Sequence, residues 1–149
     1  MASLGSPVVD CTHLRVRKLS RAISRLYDAE MAGIGLRMTQ FSLLACVERL
    51  GPVSPSALAE AMTMDASTLT RNLRPLLARR WAAQESGQDA RQRIVTLTEL
   101  GAATLLSARG RWRRAQKHVR AVLGEADLTT LNSLIDRIQD KLAGGDLNA

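Results

Sequence analysis

The sequence predicts a mainly α-helical protein with one small β-hairpin, and three features of the chain support this fold class. Residues 54–80 contain two short helical patterns separated by a tight turn. Two strand-forming segments follow directly, and longer amphipathic patterns stand on either side of this centre. At 149 residues, the chain is long enough to bury the core of one domain. We therefore predict a single domain over residues 1–149.

The N-terminal region predicts two helices. One side of the first helix, which ends near Gly33, carries four apolar residues at helical spacing: Leu14, Leu19, Ile23 and Leu26. A second helix is expected over residues 39–50, because Gly51 and Pro52 provide a stop signal after it. Cys46 lies in the apolar part of this second helix and is expected to pack in the core.

The third helix is predicted to start at Ser54, whose hydroxyl can accept a hydrogen bond from an amide of the first turn. Pro55 then occupies the first helical position, where a missing N–H costs little. The apolar face of this helix is expected to consist of Leu58, Ala61 and Met62. The pattern then breaks, and Asp65 is a favourable N-cap for a fourth helix.

The fourth helix has an apolar stripe and a polar remainder. Leu69, Leu73 and Leu76 recur three and four residues apart and are expected to face inward. The remaining positions carry small hydroxyl side chains and arginines, namely Ser67, Thr68, Thr70, Arg71 and Arg74. A helix of roughly 20 Å with these side chains suits insertion into a DNA major groove. The alternative is a helical hairpin with a solvated basic face.

Two strands are predicted after this helix, over residues 81–86 and 93–97, and the second is rich in β-branched side chains. The segment between them, residues 87–92, is polar. A helix-turn-helix followed by a β-hairpin is a winged helix, in which Arg91 of the loop is expected to enter the narrow minor groove of DNA. Asp89 is expected to orient the Arg91 guanidinium.

Several of these segments resemble the MarR family of transcriptional regulators. Residues 89–91 and 94–101 resemble the wing signature of that family, and residues 67–76 resemble its recognition helix. Residues 35–44 resemble the start of its second helix, and the resemblance covers residues 10–143 in order. It implies a homodimeric winged-helix repressor or activator, often released from DNA by a small molecule or by oxidation.

The expected function is therefore sequence-specific binding of double-stranded DNA by a transcriptional regulator, with a repressor as the expected type. The expected DNA contacts are Ser67, Thr68, Thr70, Arg71, Arg74, Asp89, Arg91 and Arg93. Two residues depart from the family's pattern in the recognition helix. Arg80 stands where the family usually has a glycine in a left-handed cap, a conformation that strains a larger residue. Pro75 removes one helical hydrogen bond and predicts a kink or a local bulge.

The charge distribution agrees with a polyanionic partner. The formal net charge is +7, the sequence pI is near 10.7, and arginines concentrate between residues 71 and 93. Residues 1–10 lack the basic start and apolar run of a secretory signal. No stretch approaches the roughly 20 apolar residues that a bilayer span requires. The expected location is the cytoplasm, without membrane association.

The C-terminal part predicts two further helices. One long helix is expected over residues 99–122, although Gly101 and Gly110 weaken it. Asp127 is expected to cap the last helix. That helix carries a coiled-coil-like apolar seam of Leu128, Leu131, Ile135, Ile138 and Leu142. The seam has two interpretations, which are packing within the chain and pairing with a second copy.

The N- and C-terminal helices are expected to form a two-fold homodimer, because a winged helix needs only the middle of the chain. Dimerisation is assigned to residues 10–33 and 99–143, and DNA binding to residues 39–97. Such a dimer would present two recognition helices roughly 34–36 Å apart and read an inverted repeat. The effector that the resemblance implies is a small acidic or phenolic ligand.

Two features leave alternatives open. Six basic residues and no acid lie within residues 109–120. A solvated or acid-paired helix face is favoured for them over phosphate contacts or a cavity for an acidic ligand. Cys11 precedes the first helix, where main-chain amides stabilise a thiolate. It is the candidate redox residue of an oxidant-sensing regulator.

An enzyme is disfavoured by the sequence. The two histidines, His13 and His118, are far apart, and the chain has no glycine-rich phosphate loop or nucleophile motif. The cysteine spacing does not form a metal site. We therefore expect no cofactor and no metal. The remaining alternative is a winged-helix module that binds proteins and not DNA, against which Arg91 in the wing loop argues.

Overall fold

The computed structural model describes residues 11–89 and 92–144. Within these ranges, the protein has six α-helices and two antiparallel strands. In chain order they are α1 (Thr12–Met31), α2 (Met38–Leu50), α3 (Pro55–Ala61), α4 (Ala66–Ala78), β1 (Ala82–Ser86), β2 (Arg93–Leu97), α5 (Glu99–Leu123) and α6 (Glu125–Gly144). A short 3₁₀ helix, Ala32–Ile34, follows α1. The predicted mainly α-helical fold with one β-hairpin is confirmed.

Residues 32–37 form the α1–α2 corner, which is stabilised by one glycine and by two side-chain hydrogen bonds. Gly35 has a φ of 65°, which glycine adopts without steric cost. Asp28 Oδ1 accepts a hydrogen bond of 2.7 Å from the Met38 amide. Gln40 Oε1 accepts one of 2.9 Å from the Arg37 amide. These bonds satisfy amides at the start of α2, which have no partner within the helix.

The buried core lies where α2, α4 and the β-hairpin meet α5. Its largest fully buried side chains are Met31, Leu36, Leu43, Leu44, Leu58, Leu69, Leu76, Leu105, Val47 and Val95. Phe41 of α2 stacks on Trp112 of α5 with ring centroids 6.3 Å apart, a favourable aromatic contact. Cys46 is buried, so its predicted role in core packing is confirmed.

The β-hairpin is attached to the helices at its base. β1 and β2 pair antiparallel, with Gln84 opposite Val95. Val53, in the turn before α3, exchanges two main-chain hydrogen bonds with Val95, of 3.1 and 2.8 Å. The hairpin is therefore held to the α2–α3 turn as well as to the end of α4.

α3 buries a different face from the one predicted. Leu58 and Ala59 are buried, whereas Ala61 is exposed and Met62 is half-buried. The prediction for Ala61 was wrong because α3 has only seven residues. Because α3 is short, its contacts with α4 and β2 decide which of its residues face the core, and the spacing of its apolar residues has less influence.

α5 follows the prediction, whereas α6 starts earlier than expected. α5 is continuous across Gly101 and Gly110, as predicted. Gly124 ends α5 with a φ of 79°, and its carbonyl accepts the first helical bond of α6 from the Leu128 amide at 3.1 Å. Asp127 therefore lies in the first turn of α6, and its predicted role as the cap was wrong. Glycine allows the chain to change direction within one residue.

The apolar seam of α6 is uncovered in the single chain. No residue of α6 is buried, and Ile135, Ile138 and Leu142 are 41, 45 and 57% exposed. Leu128 and Leu131 are partly covered. The interpretation that the seam packs into the core of its own chain therefore fails. Although α5 and α6 are long, no helix in the described ranges is both long and apolar enough to cross a membrane.

Candidate nucleic-acid interface

α4 separates apolar from polar side chains. Leu69, Leu73 and Leu76 are buried, as predicted. Four of the predicted DNA contacts are exposed on the opposite side of the helix, namely Ser67, Thr70, Arg71 and Arg74. Thr68 is half-buried at the edge of this surface. We call these five residues the α4 polar face.

Asp65 caps α4, as predicted, and also binds two residues of the α4 polar face. Its carboxylate accepts hydrogen bonds from Ser67 Oγ at 2.6 Å, from the Thr68 amide at 2.7 Å and from Thr68 Oγ1 at 2.8 Å. The bond from Ser67, followed by those from Thr68, holds the pKa of the Asp65 carboxyl well below its usual range. Asp65 is therefore ionised at neutral pH. The sequence predicts only a cap at Asp65, although the Asp-x-Ser-Thr spacing brings both hydroxyls within its reach.

The hydroxyl groups of the α4 polar face donate their protons within the helix. Ser67 and Thr68 donate to Asp65, and Thr70 Oγ1 donates to the Ala66 carbonyl at 2.8 Å. A hydroxyl has one proton and two acceptor lone pairs. Ser67 and Thr70 therefore present acceptors, and not donors, to whatever lies against this exposed surface.

The C-terminal end of α4 adopts the left-handed turn that the family pattern indicated. α4 remains α-helical through Pro75, so the local bulge expected at the proline is absent. Arg80 has a φ of 55°, in the region where a side chain meets a steric cost. The Arg80 amide bonds the Leu77 carbonyl at 3.0 Å, and the Trp81 amide bonds the Leu76 carbonyl at 2.9 Å. These two bonds close the helix in the way that a C-terminal glycine usually does.

The wing, which consists of β1, β2 and the loop between them, carries a further cation at its loop end. Arg93 is exposed at the start of β2 and lines a shallow groove together with Arg80 and Gln84. Asp89 is exposed in the wing loop. Arg91, the predicted minor-groove contact, lies outside the described residues. Its predicted orientation by Asp89 stays a prediction.

The basic run of α5 pairs with acidic side chains. Within the described residues its ion pairs are Arg109–Glu48, Arg114–Glu30 and Arg120–Glu125. In addition, Arg111 Nη1 donates a hydrogen bond of 3.0 Å to the Glu30 carbonyl. The favoured interpretation of an acid-paired helix face is confirmed for these residues. Because the paired arginines are exposed, each pair contributes only about 0–1 kcal/mol to stability.

A cleft of about 370 Å³ opens between α3, α4 and β1. Leu69, Leu73 and Leu77 form much of its wall, while Thr70 and Arg74 add a hydroxyl and a guanidinium. An apolar cleft with an arginine among its lining residues has the chemistry to hold a small acidic molecule. The cleft shares Thr70 and Arg74 with the α4 polar face.

Cys11, the candidate redox residue, is exposed at the N-cap position of α1. The other cysteine, Cys46, is buried. Within residues 11–89 and 92–144, no group of three or more histidine, cysteine, aspartate or glutamate side chains is placed to hold a metal ion.

The chain is similar to a known family of regulators in sequence. The MarR family model matches residues 36–83, which run from the α1–α2 corner into β1. A curated relative in Bacillus subtilis (strain 168), the uncharacterized HTH-type transcriptional regulator YwoH, is 26% identical over 85 residues. That match covers 57% of this chain and 62% of the relative, so it spans less than two thirds of the relative's length.

Two solved structures share the fold over nearly their whole length. The M. tuberculosis transcriptional regulator MOSR, in complex with DNA, is 30% identical with a TM-score of 0.71, and the similarity covers 87% of this chain and 98% of that chain. A mutant MarR from E. coli, complexed with operator DNA, is 20% identical with a TM-score of 0.80, covering 92% and 99%. The family match lies on the helix-turn-helix, and the identity to MOSR extends beyond it on both sides. The chain belongs to the MarR family of transcriptional regulators.

Proposed function

We propose that this protein regulates transcription by inserting α4 into the major groove of a specific DNA duplex. The observation that carries the proposal is the α4 polar face, where two arginines and acceptor hydroxyls are exposed opposite a buried leucine stripe. A helix of this composition fits the major groove, in which arginine donates to guanine O6 and N7. The relative MOSR was solved in complex with DNA, which supports a DNA partner for this chain.

The α4 polar face offers both hydrogen-bond donors and hydrogen-bond acceptors to the DNA. Arg71 and Arg74 donate, to guanine or to phosphate. Ser67 and Thr70 accept, and the matching donors in the major groove are the exocyclic amino groups of adenine and cytosine. We therefore expect the half-site to present an amino group to the first turn of α4.

The wing adds a second contact in this proposal. Arg91 enters the minor groove, Asp89 orients it, and Arg93 contacts the adjacent phosphates. Arg93 is exposed and lines one groove together with Arg80, which supports a basic surface that continues from α4 into the wing. Replacing Arg91 with alanine is expected to weaken binding by roughly 1–3 kcal/mol. An unchanged titration midpoint for that variant would contradict the wing assignment.

The proposed binding unit is a homodimer. Residues 10–33 and 99–143 form its interface, and residues 39–97 bind DNA. The uncovered seam of α6 supports this assignment, because a second copy is the simplest partner for an apolar helix face of this length. A two-fold dimer places its two α4 helices roughly 34–36 Å apart and reads an inverted repeat.

We further propose that the protein is a repressor that a small acidic or phenolic ligand releases from DNA. The cleft beside α4 supports such a ligand, because Arg74 stands among its mostly apolar lining residues. A ligand anion paired with Arg74 would withdraw that arginine from DNA. Oxidation of the exposed Cys11 is the alternative release signal.

A titration of labelled duplexes tests the DNA-binding proposal. Fragments from around the protein's own gene are compared with a scrambled duplex of equal length and composition at two salt concentrations. At least one fragment is expected to bind at a much lower protein concentration than the scrambled duplex does. Its log affinity should fall by about 0.9 per neutralised phosphate for each log unit of salt. Binding to no duplex would overturn the proposal in favour of a protein-interaction module.

A further inference from the structure

Arg79, the residue directly after α4, contacts two other parts of the protein. Its Nη1 donates a hydrogen bond of 2.7 Å to the Gly35 carbonyl in the α1–α2 corner. Its guanidinium lies over the Trp81 ring, with Cζ 4.7 Å from the ring centroid. A planar guanidinium stacks and donates at the same time, which a lysine ammonium does not. Arg79 therefore joins the C-terminal end of α4 to the corner that follows α1.

The first turn of α5 holds the same segment from another side. Thr98 Oγ1 donates to the Arg80 carbonyl at 2.6 Å, and the Thr98 amide donates to the Trp81 carbonyl at 3.2 Å. A Cβ added at Gly101 would lie 1.8 Å from the Trp81 carbonyl oxygen, so α5 packs directly on the main chain there. The Trp81 side chain is buried. Residues 79–81 are thus fixed between the α1–α2 corner and α5.

This arrangement, which we call the α4 anchor, consists of Arg79, Trp81, Gly35, Thr98 and Gly101. It connects the end of α4, the helix proposed to read DNA, with the α1–α2 corner and with the start of α5, which lie next to helices proposed to form the dimer interface. In a two-fold dimer, the distance between the two α4 helices depends on how the end of each α4 is held against its own α1–α2 corner and the start of α5. A small change in that position would prevent both α4 helices from reaching their half-sites at once.

We propose that Arg79 is a positioning residue for DNA recognition, which fixes α4 relative to the α1–α2 corner so that both α4 helices of a dimer fit one operator. The proposal rests on the proposed DNA-binding function of α4. In the sequence, Arg79 is one of the arginines between residues 71 and 93 that favour a polyanionic partner. Arg79 is exposed, but its contacts with Gly35 and Trp81 engage the guanidinium with other parts of the chain.

The test compares Arg79→Met with the matched control Arg80→Met. Methionine keeps an unbranched stem against Trp81 but removes the donor and the charge, while the control removes the same charge one residue away. Affinity for the wild-type operator and for a scrambled duplex is measured across a salt series. The affinity of Arg79→Met for the operator is expected to fall about tenfold, which corresponds to one lost charged hydrogen bond. Its affinity for the scrambled duplex should change little. Its salt slope should match the wild type, because no phosphate contact is removed.

A second readout separates positioning from a general loss of stability. Duplexes with one base pair inserted or deleted between the half-sites are compared with the operator. Wild-type protein is expected to discriminate strongly among these spacings, and Arg79→Met weakly. Arg79→Lys retains a donor for the Gly35 carbonyl and should recover part of the discrimination. It also carries the test if sedimentation or thermal unfolding reveals that Arg79→Met is misfolded.

Three outcomes would overturn the proposal in distinguishable ways. Equal losses on both duplexes, with a salt slope smaller by about 0.9, would make Arg79 a phosphate contact. Unchanged operator affinity and unchanged spacing preference would remove the positioning role and leave the proposed function of α4 intact. Absence of specific binding by the wild type would refute the proposed function itself, and the role of Arg79 with it. In the control Arg80→Met, the affinities for the operator and for the scrambled duplex should change by the same factor.

Discussion

At the scale of single residues, individual side chains hold the starts of α3 and α4 and the C-terminal end of α4. Ser54 and Asp65 cap α3 and α4 as predicted, because a cap needs an amide only three residues further along the chain. The acceptor state of Ser67 follows from the same short-range geometry. Arg79 is the contrasting case, since its partner Gly35 is 44 positions away and no local pattern indicates the contact.

The cap of α4 predicts a pH-dependent stability. The folded-state pKa of Asp65 is lowered, so its ionised carboxylate stabilises the fold above an unfolded-state pKa of about 4. That contribution is lost as the pH falls through the folded-state pKa. Asp65→Asn keeps a capping oxygen but carries no charge. The difference in urea midpoint between wild type and variant should be largest at neutral pH and shrink below about pH 4. An equal difference in urea midpoint at neutral pH and below about pH 4 would contradict a charged cap at Asp65.

The α4 polar face predicts that Arg71 contributes to specificity. Arg71→Ala is expected to weaken operator binding by roughly 1–3 kcal/mol while the scrambled duplex is affected little. Arg113→Ala is the matched control, because Arg113 is exposed on α5 and its loss removes the same charge elsewhere. Fluorescence anisotropy with both duplexes measures the two affinities. If Arg71→Ala weakens both equally, Arg71 is a phosphate contact and the base readers lie elsewhere.

At the scale of secondary-structure elements, length decided how well a helix was predicted. α2, α4 and α5 repeat their apolar pattern over several turns, and their positions agree with the prediction within a residue or two. α3 has seven residues, so one wrong position, Ala61, changed its predicted buried face. The start of α6 depended on whether Gly124 turns sharply, which a glycine permits but does not require.

Two glycines of α5 predict opposite responses to the same substitution. Gly101→Ala would place a methyl group against the Trp81 carbonyl, and we expect a destabilisation of roughly 1–3 kcal/mol. Gly110 has no atom within 4 Å of an added Cβ. Gly110→Ala should therefore stabilise the helix by about 0.5–1 kcal/mol. Urea unfolding of both variants measures the difference. A stabilised Gly101→Ala variant would mean that α5 does not pack on the end of α4 as described.

At the scale of the whole molecule, family membership and an uncovered surface both bear on function. MarR-family transcriptional regulators are DNA-binding regulators and not enzymes, so the sequence-based exclusion of an enzyme is confirmed. The seam of α6 remains apolar and exposed in the single chain. An exposed stripe of this kind marks an interaction surface.

The dimer proposal predicts the effect of charge in the seam. Leu131→Glu and Ile135→Glu would bury an unpaired carboxylate at the interface, which costs several kcal/mol, so both variants should be monomers or aggregates. Ser133→Glu adds the same charge on the opposite side of α6 and should remain dimeric. Sedimentation at micromolar concentration separates these states. The monomeric variants should also lose specific DNA affinity, because only a dimer spans two half-sites. A monomeric wild type would refute the proposed interface and the inverted-repeat operator.

The sequence by itself determined the elements whose causes are local. The caps at Ser54 and Asp65 and the leucine stripe of α4 all depend on residues within a few positions of one another. The order of helices and hairpin also followed from the sequence, since each element has its own periodicity and stop signal.

Only the tertiary structure decided how those elements meet. It packed Phe41 against Trp112, joined Arg79 to Gly35, and left the α6 seam without a partner in its own chain. Each of these facts depends on the relative placement of helices that are distant in sequence, and periodicity within one helix carries no information about its neighbours. That is the physical reason why the sequence could name the side chains of the α4 polar face but not the contacts that hold α4 in position.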